Sequence, residues 1–440
     1  MIRADISTLA NTRMIGFSRY DCERSIASVI DGQKITARKV LYYLISRGEN
    51  APLVKVSQAA SGTAEKTDFH HGDQGIVGVI AGMAQDFVGS NNMNLLVPDG
   101  QFGNILSTVP SAGRYIHTKL HANFRKLFKK EDDEIITYQL SDGLQIEPEF
   151  YIPVLPVILI NGSQGIGTGF ASKFLNYNPE EIRQYVMATL TNKKRKPLLP
   201  WYRGFKGKIE ELETNKFQFT GDLEIVNSTT IKITELPIGM YLDDIIKVLN
   251  KLKESDFIKD YHDDSVTTEY NITVTVPRTT AYLEKSVLLD KFKLISRDSQ
   301  NLTAWLHTGK IRKFATVDDV ISYFIDYRLE KYEQRRVHQL ATMRHDQDVL
   351  MNKIRFIEYY LENSAAIAKK NKKELVASLE DMGFSFIDKL LDIKIYNLTA
   401  DAIEAMENQL IDLDDEINRL DSTTAKDMYL AELQELKLEG

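Results

Sequence analysis

Three scarcities narrow the class of this protein. The sequence holds a single cysteine, Cys22, so no internal disulfide can form, and a reducing cytoplasm is the expected setting. It holds no apolar run near the eighteen or so residues of a membrane span, and its start, MIRADISTLANTRM, has no signal-peptide core, so no membrane partner is expected. It also lacks low-complexity tracts and repeats of 20 to 50 residues. What remains is a globular composition, 43% hydrophobic and 27% charged over 440 residues, long enough for roughly two to four domains.

A fourth scarcity is local. Residues 100–130 contain no acid, although the net charge of the chain is -7. The acidity is concentrated at the end: residues 401–440 carry twelve acids against Arg419, Lys426 and Lys437, which leaves the first 400 residues at +2. A polyanionic partner is therefore not excluded, because it needs only a local basic patch.

Inside the acid-free stretch, SAGRYIHTKLHANFRKLFKK places Tyr115 directly behind Arg114. A phenol, with a pKa of about 10, attacks at neutral pH only where its anion is stabilised or its proton removed. Arg114 is suited to stabilising that anion and to neutralising a phosphodiester under attack. The bland alternative is a half-buried helix tyrosine, one of 20 tyrosines in the chain.

Periodicity divides the chain. TARKVLYYLISRG reads as a helix with Thr36 as cap and Gly48 as stop. GDQGIVGVIAGMAQDF reads as another, capped by Asp73, with Ile76, Val79, Ile80, Met83 and Phe87 on one face. A third is expected from Tyr115, through Ile116, Leu120, Phe124 and Leu127, with Arg125, Lys126, Lys129 and Lys130 at its far end. Such helices suit a winged-helix module over 24–144, behind an arm of residues 1–23.

Residues 145–312 read as an α+β domain. An apolar strand, YIPVLPVILI, breaks into the glycine-rich NGSQGIGTGFAS. Strands in LEIVNSTTIKITELP and YNITVTVP then alternate with helices in YLDDIIKVLNKLKES and AYLEKSVLLDKFKL. Residues 313–440 are helical. Ile403, Met406, Leu410, Leu413, Ile417 and Leu420 form a heptad seam on a return segment, opposite the long segment that starts at Ile321. The expected fold is thus multidomain α+β, ending in a long antiparallel coiled coil with a globular tip that carries a homodimer contact.

Four smaller motifs admit two readings each. His70 and His71, in FHHGDQG, precede a helix start; they suit a phosphate contact better than a metal pair, and a plain capping turn is the alternative. The glycines at 162, 165, 167 and 169 depart from the G-x-G-x-x-G dinucleotide spacing, and a loop allowing close approach of DNA, with Ile166 as an apolar wedge, fits better. DLDDE, 412–416, lies within the heptad seam and reads as a solvated face rather than a metal site. KKRK, 193–196, either touches DNA or keeps a loop soluble.

Taken in order, ERSIASVIDGQKITARKVLYYL, FHHGDQGIVGVIAGMAQDFVGSNNMNLLVPDGQFGN, AGRYIHTKL and LPVILINGSQGIGTG resemble the DNA-cleaving part of the type IIA topoisomerases. The wording is closer to the eukaryotic enzymes than to gyrase, and the short form resembles the bacteriophage branch of the family. The resemblance implies that Tyr115 is the nucleophile that becomes joined to a DNA 5′ phosphate, and that Arg114 and His71 lie at the scissile phosphate. It also places Arg24, Lys34, Arg38, Lys39, His70 and Lys119 on double-stranded DNA and makes Ile166 the wedge. Two positions depart from the family pattern: Gln33-Lys34-Ile35 stands where Leu-Lys-Pro is usual, and Gly113 where Pro or Met precedes Arg-Tyr. The family's Mg²⁺ is held by acids of a toprim fold and its ATP by an ATPase domain, and neither motif occurs here. The resemblance therefore implies toprim-bearing and ATPase partner subunits, with no metal site in this chain. The alternative is a non-enzymatic DNA-bending protein of the same architecture.

Overall fold

The computed structural model describes residues 14–69 and 72–438. They form a mixed α and β fold in two compact units, one of the described residues up to 328 together with 432–438, and one of residues 329–431. Among the described residues no helix is long and apolar enough to cross a membrane.

The first unit begins with the helix Ile15–Ser25 and a tight turn at residues 28–33. Three helices follow, Ile35–Ser46, Val56–Lys66 and Asp73–Ala84, each packed on the other two. Their inward faces carry Val40, Leu41, Val56, Ala59, Ala60, Ile76 and Ile80, all fully buried. The first of these helices starts at Ile35, with Lys34 rather than Thr36 at the cap position, and the chain leaves it through Gly48 at φ +94°.

The helix expected from Tyr115 is absent. Tyr115 ends a turn, His117–Thr118 is a two-residue strand paired with Val54–Lys55, and helix resumes only over Ala122–Leu127. Ile116 and Thr118 are buried while Tyr115 is exposed, an alternation that suits an extended chain. Bridges of Asp99 to His117 and of Leu96 to Leu120 keep it extended.

YIPVLPVILI is not a strand either. Residues 151–160 are buried, but only Val157–Ile160 is regular, as one helical turn. Pro153 and Pro156 lack the amide hydrogens that a buried strand needs for its ladder. The glycine-rich segment then forms a hairpin, Ser163–Gly167 paired with Phe170–Phe174, and Gly169 at φ +82° allows the tight turn. A Cβ at Gly165 would lie 1.8 Å from the Ser25 carbonyl oxygen, and one at Gly167 2.9 Å from the Cys22 sulfur. These two glycines therefore admit the Ile15–Ser25 helix.

Beyond the hairpin, Asn178 accepts hydrogen bonds from the amides of Glu180 and Glu181 and caps the helix Pro179–Leu190. A three-stranded sheet joins Lys208–Glu213, Lys216–Thr220 and Ile295–Ser299. A four-stranded sheet has Thr230–Glu235 and Ile272–Thr275 at its centre, flanked by Asp222–Asn227 and Asp260–Asp263. Ile231, Ile233, Ile272 and Val274 face Ile245 and Leu249 of the helix Leu242–Glu254 in one core, as the strand alternation and the helical spacing had indicated.

The helix Val317–Ile367 runs from the first unit into the second and breaks at Asn363, where φ/ψ leave the helical region. In the second unit the return helix is Ala400–Ser422. Ile403, Met406, Leu410, Leu413, Ile417 and Leu420 are its more covered positions, and Asp412, Asp414, Asp415 and Glu416 are exposed, so DLDDE is a solvated face. Gln347 donates to Asp414 at 2.6 Å across the two helices. Phe356, Leu379, Phe384 and Leu390 form a separate small core in the same unit.

The close approach at the hairpin gives a direct test. Gly165→Ala should destabilise the protein by about 1 to 3 kcal/mol through forced overpacking, measured by urea unfolding; stability equal to the unsubstituted protein would show that the helix is free to move away.

Candidate active site and nucleic-acid interface

Tyr115 is held by its neighbours' backbone rather than by its own side chain. Its amide donates to the Ala112 carbonyl at 2.9 Å, closing the turn. The first amides of the Val56–Lys66 helix, which have no partner within the helix, donate outward: Ser57 to the Gly113 oxygen and Val56 to the Ile116 oxygen, both at 3.0 Å. Two carbonyls flanking Tyr115 are thus fastened to a helix end. A Cβ at Gly113 would lie 3.1 Å from a Val77 methyl and 3.3 Å from the Ser57 nitrogen, so the departure at Gly113 suits a tight contact that itself restrains the turn.

On this fixed backbone the phenol points outward. Tyr115 is 66% exposed, and the Arg114 guanidinium lies over its ring, 4.8 Å from the centroid. The ring is thereby placed in contact with a cation in an accessible position.

The acid-free stretch is less free of acids in space than along the chain. Asp99, just before it, forms a backbone bridge with His117 and brings its carboxylate 3.6 Å from the imidazole. Arg125 is engaged by Glu49 and Asp133, at 2.8 and 2.9 Å. Burial raises the Asp133 carboxyl pKa, and hydrogen bonds from Arg125 oppose that rise. No local sequence signal pointed to Asp99, because its nearness to His117 comes from pairing of two separate stretches.

The expected DNA-binding residues separate into two groups. Arg24 is exposed at the end of the Ile15–Ser25 helix, stacked against Tyr20 at 5.7 Å. Lys119 is half-buried, and its carbonyl accepts from Val97. Lys34 donates its ammonium to the Gln164 carbonyl at 2.7 Å, which ties the 28–33 turn to the hairpin, and burial lowers its pKa. Ile166, on that hairpin, is 79% exposed. An isoleucine presented this way on a two-residue-turn hairpin has the shape of a wedge.

Arg38 and Lys39 belong to the second group. Arg38 makes two bonds to the Asp31 carboxylate, at 2.7 and 3.1 Å, and one to the Gln33 carbonyl. Lys39 reaches Glu147 at 2.8 Å and the Thr67 carbonyl at 2.7 Å. Both side chains are buried with their charges already matched, so they build the platform instead of offering free charge to a phosphate. Their sequence signal, basic residues beside Lys34, could not distinguish the two roles. His70 and His71 lie outside the described residues.

Among the described residues no group of three or more His, Cys, Asp or Glu side chains is arranged to hold a metal ion, and the Tyr115 turn does not fit a Mg²⁺ site. The glycine-rich segment is a packed hairpin, not a phosphate-cradling loop before a helix, and does not fit a nucleotide.

An exposed tyrosine under an arginine, together with a hairpin that presents an exposed isoleucine, is a combination expected of a DNA breakage and reunion domain. The model of the DNA gyrase/topoisomerase IV A-subunit family matches residues 24–438, and the chain belongs to that family. It is 37% identical over 394 residues to DNA topoisomerase 2 of Candida albicans, covering 87% of this chain and 27% of that protein. It is 34% identical over 472 residues to DNA topoisomerase 2 of Penicillium chrysogenum, covering 97% and 29%. The chain thus spans less than a third of the length of these relatives. Its structure is similar to the DNA-binding, cleavage and re-ligation domain of Plasmodium falciparum topoisomerase II, with a TM-score of 0.91 and 32% identity over 98% of this chain and 63% of that one.

The inward placement of two basic residues predicts a stability effect. Arg38→Met and Lys39→Met, by leaving Asp31 or Glu147 as a buried unpaired charge, should each cost about 3 to 5 kcal/mol in denaturant unfolding. Loss of DNA affinity at unchanged stability would return these residues to the DNA surface.

Proposed function

We propose that this chain is the DNA-cleaving and religating part of an ATP-dependent type II topoisomerase, and that Tyr115 is its nucleophile. The observation that carries the reading is the exposed Tyr115 ring beneath Arg114 on a turn fastened to a helix end. The Tyr115 oxygen attacks the scissile phosphorus; the new P–O bond forms as the P–O3′ bond breaks, the phenol proton departs, and the 3′ oxygen takes up a proton. The phosphotyrosyl ester keeps the bond energy, so the reverse attack by the 3′ hydroxyl restores the strand. Arg114 neutralises charge on the phosphate, with His71 assigned the same task from the family motif. Arg24, Lys34 and Lys119 face the duplex backbone and Ile166 enters between bases.

In this reading residues 24–144 act as a winged-helix gate, 145–312 as a tower and 313–440 as an arm with a dimerising tip. Two copies cut the two strands so that a second duplex can pass, since one tyrosine serves one strand. Mg²⁺ is held chiefly by a partner's toprim fold and ATP by a partner's ATPase domain, the arrangement of the medium subunit of a T-even bacteriophage enzyme.

The test mixes the protein with supercoiled plasmid and Mg²⁺, with and without toprim-bearing and ATPase partners, and quenches with SDS. DNA ends covalently joined to protein are expected, and Tyr115→Phe should abolish them while DNA binding persists. Adducts that survive Tyr115→Phe would displace the nucleophile, and binding without any adduct would favour a DNA-bending protein. Ile166→Ala should keep most of the affinity but reduce the bend of a bound duplex, read by end-to-end fluorescence transfer. Affinity should fall by about 10³ to 10⁵ between 50 and 200 mM salt if roughly six to ten phosphates are contacted, and a flat salt profile would remove the DNA-binding role.

A further inference from the structure

The KKRK segment finds no task in the cleavage site. It follows the helix Pro179–Leu190, and its backbone is held at both ends. Asn192 adopts the left-handed conformation at φ +54°, and the amides of Asn192 and Lys193 donate back to the Thr189 and Ala188 carbonyls. Pro197 follows, and Tyr177 bridges to Pro200 downstream. The bland reading, cations placed to complement a helix C-terminus, accounts for one or two charges in the first turn beyond the helix. It does not account for four in succession, all exposed.

Of the four, only Lys196 makes an ion pair among the described residues, with Glu181 at 3.2 Å. Arg195 lies over the Tyr185 ring at 5.4 Å. The segment borders a cavity of about 660 Å³, whose wall includes Tyr177, Tyr185, Gln300, Glu211 and Asp318. Tyr185 is buried, and its hydroxyl has no hydrogen-bond partner; Asp318 and Arg195 stand beside it, outside hydrogen-bond geometry. The two carboxylates decide where an anion can sit. Glu211 and Asp318, both exposed on the cavity wall, repel an anion placed between them, whereas the exposed Lys193, Lys194 and Arg195 attract one lying along the loop. That distribution suits a polymer backbone passing over the rim better than a small polyphosphate enclosed within.

We propose that Lys193, Lys194 and Arg195 form a second phosphate-contacting surface, holding the duplex flank away from the Tyr115 turn. The proposal rests on the DNA-cleavage reading above. Its geometry has a scale: the chain from Phe170, beside Ile166 on the hairpin, to Tyr177 on the cavity wall reaches at most about 25 Å. At about 3.4 Å per base pair that reach is at most about 7 base pairs of duplex beyond Ile166.

The experiment measures affinity against salt for the full chain on two duplexes centred on a cleavage site, one of about 12 and one of about 40 base pairs. The triple substitution Lys193→Gln, Lys194→Gln, Arg195→Gln should weaken long-duplex binding by about tenfold or more and reduce the log–log salt slope by about 2 to 3 per protomer, with short-duplex binding unchanged. Lys196→Gln, which removes a charge already paired, is the matched control and should leave the slope nearly intact; an unchanged melting temperature in both variants confirms folding. An unchanged long-duplex slope, or equal losses on both duplexes, overturns the proposal. So does tripolyphosphate binding that the triple substitution removes while the long-duplex slope stays the same. Failure of the unsubstituted protein to bind either duplex would instead sink the underlying DNA reading.

Discussion

The buried carboxylate of Asp31 is the constraint on which the helices and hairpin around it depend. Wholly shielded from solvent, it accepts two bonds from Arg38, one from the Gln33 amide and one from the Tyr151 amide. An ion pair this deep is stable only because every lone pair is used. Its partners come from three places: the 28–33 turn, the Ile35–Ser46 helix and the buried 151–160 segment. With those fixed, Lys34 has a defined exit and reaches the Gln164 carbonyl on the hairpin that carries Ile166. One carboxylate thus orients a helix, a turn and, through Lys34, the hairpin.

The same logic governs the tyrosine turn. An exposed side chain is not positioned by its own packing contacts, so the backbone has to hold it. At Tyr115 this is done by helix-start amides bonding the flanking carbonyls. At Ile166 it is done by a hairpin whose glycines let a helix press against it; the Thr168 amide and hydroxyl donate to Asp21 of that helix at 2.8 and 2.7 Å. Glycine here provides close contact rather than freedom of movement.

Within the second unit the design is different. Regular heptads and solvated acids give a helix pair whose pairing is repetitive, while the small core around Phe356 and Leu390 caps the change of direction. A capping box at Asn371 and Glu374 starts the helix Lys372–Asp381 there.

These contrasts explain what could be read from the chain directly. The heptad seam, the alternation of Thr230–Glu235 and the helical faces around Ile76 and Ile80 were legible because burial follows a local period, and each such residue reports its own environment. The unusual Arg-Tyr within an acid-free stretch was legible as a composition, which is local too. The misread elements all depend on partners distant in sequence. Ile116 to Leu127 has a helical stripe, yet pairing with residues 54–55 and 96–99 draws its first half into extended form. The 151–160 run is apolar enough for a strand, yet two prolines and Asp31, 120 residues earlier, hold it otherwise. Arg38 and Lys39 are indistinguishable in sequence from cations meant for a ligand until Asp31 and Glu147 appear beside them. The sequence by itself determined the periods, the charge distribution and the chemical types at the site. Only the tertiary structure decided which charges were consumed in building it and which were left outside, because an ion pair is a property of two positions that no single stretch contains.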